Sequence, residues 1–278
     1  MNMIGRTCVI TGANSGIGLA SAKALAIMGA EIILVCRNPQ KAEQAIKDIR
    51  ALSPNAQLTY ILTDLSISTE VKRLASDILA LGRPIHILLN NAGCFTPTTR
   101  MTKENHELTF AVNYFAPYIL TRLLADRLST SPDARVINIS SGMHGFTPFP
   151  IHRINKLSGA MAYPASKLAN VMFALEMAER HIGEFTVNCM DPGMVNTNFG
   201  GELPWWMLAL STPFRPFLRT PEEGAETAVY LASSAEVEGI TGKYFKDRKL
   251  ISPSAFALDT IKRKELWART ARFLKMDE

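Results

Sequence analysis

Two side chains capable of acid–base chemistry stand four residues apart near the predicted start of a helix. Tyr163 and Lys167 have the spacing that places both on one helix face, about one turn from each other. A lysine ammonium favours the ionised form of a neighbouring phenol, so we expect Lys167 to lower the pKa of Tyr163 from about 10 toward the working pH. Such a phenol can act as a general acid or base. The same spacing also occurs in ordinary surface pairs, and what favours chemistry here is Ser141, after the predicted strand Arg135–Ser140, where its hydroxyl can hold a substrate oxygen.

A glycine-rich turn follows the first predicted strand. The segment Thr11-Gly12-Ala13-Asn14-Ser15-Gly16-Ile17-Gly18 has glycines where a backbone must approach a pyrophosphate, and a helix with a positive N-terminus comes directly after it. A tight turn without a ligand is the alternative. The position between a strand and a helix favours a dinucleotide, with these predicted contacts: Gly12, Asn14, Ser15, Gly16, Ile17 and Gly18.

The residue after the second predicted strand bears on the choice of dinucleotide. An NAD site usually places a carboxylate there for the ribose hydroxyls, whereas this chain has Cys36 and then Arg37. A guanidinium can pair with a 2′-phosphate, so we expect NADP(H) rather than NAD(H). Further cofactor contacts are expected at the ends of the third and fourth strands: Asp64, Leu65, Asn90, Ala92 and Gly93.

The elements that position these residues alternate between short apolar runs and amphipathic segments, which predicts βαβ units around a mainly parallel sheet. Seven strands are expected at Thr7–Thr11, Glu31–Cys36, Gln57–Thr63, Ile85–Asn90, Arg135–Ser140, Phe185–Asp191 and Lys243–Phe245. Helices are expected at about 16–28, 39–52, 68–81, 103–129, 159–182, 221–233 and 255–275. The fold class is therefore a doubly wound, three-layer α/β/α sandwich, with residues 1–278 as a single domain.

Composition excludes several other classes. The 278 residues are 47% apolar, their formal net charge is only +5, and the basic residues are scattered, so we expect no nucleic-acid partner. Four cysteines without a C-x-x-C pair fit a cytoplasmic protein, and we expect neither a signal peptide nor a membrane span. His144 and His152 lack the spacing of metal ligands, so no metal is expected.

Taken together, these motifs are similar to those of the short-chain dehydrogenase/reductase family, in order along nearly the whole chain: TGANSGIG, NNAG, Asn113, Ser141, YPASK and Asp191-Pro192-Gly193. Three stretches resemble its retinol dehydrogenase-like branch, which includes relatives of protochlorophyllide reductase: Val35–Asn38, Ser166–Asn170 and Gly242–Phe245.

The resemblance implies a Rossmann-like fold and an oxidoreductase that interconverts a carbonyl and an alcohol by hydride transfer. It implies that Tyr163 donates or accepts the proton, that Lys167 tunes Tyr163 and binds the nicotinamide ribose, and that Ser141 anchors the carbonyl oxygen. Asn113 would support a water relay. The turn after the sixth strand would close over the cofactor through Pro192, Gly193, Val195 and Thr197.

The region of about 198–220 is expected to be a substrate lid, and 250–278 a C-terminal extension. The apolar residues within 203–218 favour a lipophilic aldehyde, ketone or alcohol, such as a retinoid-like compound, although core packing, a subunit contact or a membrane-surface contact would have the same composition. Apolar faces on the helices at 103–129 and 159–182 are compatible with a homodimer and also with packing in the core. A dinucleotide-binding sensor or scaffold protein without activity is the main alternative, and a nucleotide-sugar epimerase is a second.

Overall fold

The computed structural model describes residues 2–146, 151–153, 159–196 and 218–277. Its centre is an eight-stranded sheet with the order β3-β2-β1-β4-β5-β6-β7-β8, in which all neighbours are parallel except β7 and β8. The strands are β1 (Thr7–Thr11), β2 (Glu31–Cys36), β3 (Leu58–Leu62), β4 (Ile87–Asn90), β5 (Arg135–Ile139), β6 (Thr186–Asp191), β7 (Lys243–Lys246) and β8 (Lys249–Ile251). The predicted fold class is confirmed, and β8 is an addition to the seven predicted strands.

The helices follow the predicted order. They are α1 (Gly16–Ile27), α2 (Pro39–Leu52), α3 (Ser68–Ala80), α4 (Leu108–Phe110), α5 (Ala116–Leu123), α6 (Ala125–Ser129), α7 (Gly159–Arg180), α8 (Pro221–Ser233), α9 (Ala255–Leu258) and α10 (Thr260–Leu274). Short 3₁₀ turns lie at Gly142–Gly145, Ile151–Arg153 and Ala235–Val237. The helix predicted over 103–129 begins only at Leu108, and a π-helical turn at Ala111–Phe115 separates α4 from α5.

The sheet is buried on both faces, as parallel strands with helical crossovers require. Val9 and Leu88 contribute to the core beneath α3, α5 and α7, whereas Ile10 and Leu89 contribute to the core beneath α1, α2 and α8. Successive residues of a strand therefore pack into the core on opposite faces of the sheet. This arrangement brings the carboxyl ends of β1, β2, β4, β5 and β6 to one edge, where all the predicted site residues lie that the structure describes.

The C-terminal helix α10 packs against α7 and the end of α5. Trp267 stacks on Phe173 with ring centroids 6.0 Å apart, and the Tyr118 hydroxyl donates to the Trp267 carbonyl at 3.2 Å. The Tyr114 hydroxyl lies 2.8 Å from Thr270 Oγ1. Packing within the chain therefore accounts for much of the apolar surface of these helices without a second subunit.

Candidate active site

Tyr163, Lys167 and Ser141 come together at the carboxyl end of β5. Tyr163 and Lys167 lie in the first turns of α7, and Lys167 Nζ is 5.7 Å from the centre of the Tyr163 ring. Lys167 Nζ donates to the carbonyl oxygen of Ile139 at 2.9 Å, which fixes the ammonium beside the strand. Ser141 lies two residues after the end of β5, and its hydroxyl is hydrogen-bonded to Tyr163. The structure therefore brings these three side chains together, and their catalytic roles stay predictions.

The Tyr163 ring is held by a residue that sequence reasoning missed. Phe95 packs edge-on against it, with ring centroids 5.7 Å apart and an interplanar angle of 84°. Edge-to-face packing restricts the rotation of both rings. Phe95 lies just after the predicted NNAG cofactor motif, but nothing in its spacing from Tyr163 indicates the contact.

The electrostatics of the pair differ from the sequence expectation. Burial raises the pKa of Tyr163 to about 12, although its hydrogen bond with Ser141 acts in the lowering direction. Burial also lowers the pKa of Lys167 from 10.5 to about 8, although Cys189 and Cys94 act in the raising direction. The expected lowering of the Tyr163 pKa is thus not found in the protein alone, because loss of water contact favours the uncharged form of both groups.

Asn113 lies inside the π-helical turn and clamps the loop after β4. Its Oδ1 accepts from the Cys94 amide at 2.8 Å, and its Nδ2 donates to the Cys94 carbonyl at 3.0 Å and to Ser166 Oγ at 3.0 Å. Its backbone carbonyl accepts from Asn170 Nδ2 at 2.7 Å. Asn113 thereby joins the loop that carries Phe95 to the helix that carries Tyr163 and Lys167, while Asn170 is a partner that the sequence did not single out.

The glycine turn between β1 and α1 has the geometry that a phosphate cradle requires. Gly12 and Gly16 have φ values of +66° and +54°, which favour glycine. Ser15 is the N-cap residue of α1, but its side chain makes no capping hydrogen bond, and the first helical turn contains no acidic residue. The amide groups at this end of α1 are therefore not capped by a side chain, as an anion would require.

Gly18 serves a different purpose in the same turn. A Cβ at this position would lie 2.3 Å from the Gly12 carbonyl oxygen and 2.4 Å from Asn91 Nδ2. Asn91 donates from Nδ2 to the Thr11 carbonyl at 2.7 Å, and its own amide donates to Thr11 Oγ1 at 3.0 Å. Asn91 therefore fastens the glycine turn to the end of β4, a role that sequence reasoning missed. Asn14 and Ile17, also predicted contacts, are partly exposed in this turn.

The other predicted cofactor residues of the first half of the chain lie at the same edge. Arg37 is exposed after β2, and in the described part of the chain it has no ion-pair partner. Asp64 and Leu65 follow β3, with Asp64 Oδ1 accepting from the Ser66 amide at 3.0 Å. Ala92 and Gly93 are partly exposed after β4.

Asn90 differs from these residues, because its hydrogen bonds are directed into the core. Its Nδ2 donates to Asn138 Oδ1 at 2.8 Å and to Thr121 Oγ1 at 3.0 Å. The side chain therefore joins β4 to β5 and α5.

The turn after β6 is braced by Asp191. Asp191 Oδ1 accepts from the Gly193 amide at 2.9 Å, and Oδ2 lies 3.4 Å from Lys246 Nζ. Pro192 is buried and Gly193 has a φ of +76°. Val195 forms an isolated parallel bridge with Arg219. Thr197 and most of the predicted lid lie outside the described residues.

These observations define a dinucleotide-dependent oxidoreductase, and comparison with known proteins agrees. Residues 6–207 match the family model described as short chain dehydrogenase. The chain belongs to the short-chain dehydrogenase/reductase family, in its retinol dehydrogenase-like branch. It is an NAD(P)-dependent oxidoreductase that acts on carbonyl and alcohol groups.

Individual relatives cover almost the whole chain. Human retinol dehydrogenase 12 is 37% identical over 95% of this chain and 84% of its own length. The WW domain-containing oxidoreductase of Pongo abelii is 36% identical over 98% of this chain and 68% of its own length.

Solved structures share the fold. An uncharacterized protein from Mycobacterium paratuberculosis has a TM-score of 0.81 at 26% identity and covers 99% of this chain and 96% of its own. A Beutenbergia cavernae protein described as an NAD(P)-dependent gluconate 5-dehydrogenase, solved with NADP at low occupancy, has a TM-score of 0.70 at 26% identity and covers 88% and 95%.

The part of the chain that the structure describes contains neither a metal-ligand cluster nor a membrane-spanning helix. Within residues 2–146, 151–153, 159–196 and 218–277, no three His, Cys, Asp or Glu side chains are grouped as metal ligands would be. Over the same residues, none of the helices combines the length and the hydropathy needed to cross a bilayer.

Proposed function

We propose that the chain reduces lipophilic aldehydes or ketones, and oxidises the corresponding alcohols, with NADP(H) as the preferred cofactor. The observation that carries this proposal is the grouping of Ser141, Tyr163 and Lys167 beside the uncapped glycine turn. The cofactor supplies or accepts the hydride when it is bound. The protein supplies position, a proton and a polar contact for the substrate oxygen.

The roles follow from the contacts. In the reductive direction the Tyr163 hydroxyl gives its proton to the substrate oxygen as the carbonyl carbon gains the hydride, which yields a neutral alcohol. Ser141 is hydrogen-bonded to Tyr163 and offers a donor to that same oxygen. Lys167 is held at Ile139 O and has further N–H donors for a ribose hydroxyl or a water, and its ammonium favours the ionised phenol when the proton has left.

The preference for NADP(H) rests on Arg37. Arg37 is exposed directly after β2, the strand that pairs with β1 ahead of the glycine turn, and no carboxylate among the described residues forms an ion pair with it. A planar guanidinium pairs well with a phosphate group. We expect Arg37→Glu to lower the ratio of kcat/KM with NADPH to kcat/KM with NADH by at least about tenfold. This is the change expected for the loss of one charge-assisted hydrogen bond. Lys47→Glu, on the helix α2, is the matched charge control, and an unchanged cofactor ratio in Arg37→Glu would exclude this role.

A lipophilic substrate is supported by exposed apolar side chains that adjoin the proposed catalytic residues in sequence. Met143 and Phe146 follow Ser141, Met161 precedes Tyr163, and Met194 follows Gly193, with exposed fractions of 41%, 76%, 46% and 72% respectively. Such side chains favour apolar ligands at the mouth of a site.

The experiment is an NADPH oxidation assay across aldehydes of increasing chain length. We expect kcat/KM to rise with chain length, and we expect Tyr163→Phe to bind NADPH while losing turnover. Activity that falls with chain length would contradict the lipophilic substrate. Retained turnover in Tyr163→Phe would contradict the proton role, and no turnover by the wild type on a broad carbonyl panel would favour a dinucleotide sensor.

A further inference from the structure

His144 is a buried side chain that the proposed chemistry does not use. It lies in the 3₁₀ turn Gly142–Gly145, directly after Ser141, and only 7% of its surface is exposed. Its ring packs against the Tyr244 ring of β7, with centroids 4.7 Å apart. The imidazole therefore stands between the loop that carries Ser141 and the C-terminal part of the chain.

The hydrogen-bond partners of His144 define its tautomer. Nδ1 lies 2.8 Å from the carbonyl oxygen of Ser141, and Nε2 lies 3.1 Å from the backbone nitrogen of Ser254. A carbonyl oxygen only accepts and a backbone N–H only donates, so Nδ1 carries the proton and Nε2 has the lone pair. The Tyr244 hydroxyl, whose oxygen lies 3.3 Å from Nδ1, is then a second acceptor for the same proton. The amide of Ser254 thus stabilises the tautomer that donates to Ser141.

Hydrogen bonds therefore hold both the carbonyl group and the hydroxyl group of Ser141. Its carbonyl accepts from the His144 ring and also from the His144 backbone N–H at 3.0 Å. Its Oγ accepts from the Met143 amide at 3.2 Å. Removing the ring would leave the carbonyl with one donor and allow the peptide after β5 to rotate, which would move Oγ relative to Tyr163.

We propose that His144 is a positioning residue for the reaction. It holds Ser141 in the orientation that meets both Tyr163 and the substrate oxygen, and Ser254 acts through its N–H to keep the imidazole in the donating tautomer. This inference rests on the proposed function, because it needs Ser141 to contact the substrate oxygen.

Two substitutions distinguish the role of Nδ1 from the role of Nε2. His144→Asn places an amide N–H near the position of Nδ1, whereas His144→Gln reaches toward the position of Nε2 and leaves the Ser141 carbonyl without its side-chain donor. We expect His144→Asn to keep most of the wild-type kcat and His144→Gln to lower kcat by about tenfold with little change in KM, the size of effect expected for one hydrogen bond. His181→Gln is the matched control, because His181 lies just beyond the far end of α7, where it contacts Glu184, and we expect no change in kcat.

A double-mutant cycle tests whether His144 acts through Ser141. In a Ser141→Ala background we expect His144→Gln to change kcat by less than about twofold, because the hydroxyl it positions is already absent. An additive loss of about tenfold in that background would overturn the proposal. Equal losses of kcat in His144→Asn and His144→Gln would also overturn it.

A second pair of variants covers the case in which His144→Gln does not fold. Ser254 has a φ of −61°, which proline can adopt, so Ser254→Pro removes the N–H while Ser254→Ala keeps it. We expect a lower kcat only in Ser254→Pro, with unchanged NADPH binding measured by cofactor fluorescence. Equal kcat in the two variants would count against the proposal.

The Ser141 and Tyr163 variants distinguish failure of the proposed function from failure of the positioning role alone. If Ser141→Ala and Tyr163→Phe both retain full turnover, the proposed function fails and the positioning role fails with it. If both lose turnover while the His144 effects remain additive, only the positioning role is overturned.

Discussion

Replacing Lys167 by methionine should stabilise the protein at neutral pH while abolishing its activity. Lys167 is 3% exposed, and burial lowers its pKa from 10.5 to about 8. Because each pH unit between the folded and unfolded pKa values corresponds to about 1.4 kcal/mol, keeping this ammonium in the folded protein costs about 3 kcal/mol. Methionine has a similar length and no charge, so Lys167→Met removes that cost together with the ammonium to which we assign a role in the reaction.

The sign of the pH dependence follows from the two pKa values. Between about pH 8 and pH 10.5 the unfolded chain still holds a proton that the folded protein has released, so unfolding takes up a proton and the wild type becomes more stable as pH rises. The cost of the buried ammonium is fully present below pH 8 and is lost above pH 10.5. The advantage of Lys167→Met over the wild type should therefore shrink by about 2–3 kcal/mol between pH 7 and pH 10.

Urea unfolding of the cofactor-free protein at several pH values measures this difference. Any pH-independent effect of the new side chain, such as the loss of the hydrogen bond to Ile139 O, shifts all points equally and leaves the slope unchanged. Lys243→Met, at an exposed position of β7, is the matched control and should show no such slope relative to the wild type. A constant free-energy difference between Lys167→Met and the wild type from pH 7 to pH 10 would refute the reasoning.

Two further predictions concern stability. Gly18→Ala should lower the free energy of unfolding by about 1–3 kcal/mol, because its Cβ would lie 2.3 Å from the Gly12 carbonyl oxygen. The control is Gly145→Ala, where a new Cβ would have nothing within 4 Å. Equal midpoints of urea unfolding for the two variants would contradict the steric argument. Arg263→Met should cost about 3 kcal/mol, because buried Arg263 pairs with Glu176 and Glu179 between α7 and α10. Breaking the exposed Arg269–Glu265 pair should cost less than about 1 kcal/mol, so comparable losses in the two variants would show that burial does not matter here.

Much of the fold was predictable because its signals are local. Nearly continuous apolar runs identify the first six strands, and the order of strands and helices implies a parallel sheet. The strand β8 was missed because it has three residues, all exposed, and hence no buried face to create a pattern. The π-helical turn at Ala111–Phe115 was missed because one extra residue per turn does not visibly alter the apolar periodicity of so short a segment.

The grouping of Ser141, Tyr163 and Lys167 was predictable from strand ends and helix spacing, but their environment was not. The direction of the pKa shift of Tyr163 was predicted wrongly for the protein without cofactor. A four-residue spacing reveals the neighbouring ammonium but not the loss of water around both groups. Phe95, Asn91 and Asn170 were missed for a related reason. Each acts through a contact between elements that are remote in sequence.

The link from Ser254 through His144 to Ser141 makes the orientation of a strand-end serine depend on backbone that lies outside the sheet. Ser254 lies in the short connection between β8 and α9, and its N–H donates to His144 Nε2 at 3.1 Å. A one-residue insertion or deletion in that connection would displace this N–H while leaving the strands and the glycine turn unaltered. Length changes there should therefore lower kcat more than they weaken dinucleotide binding.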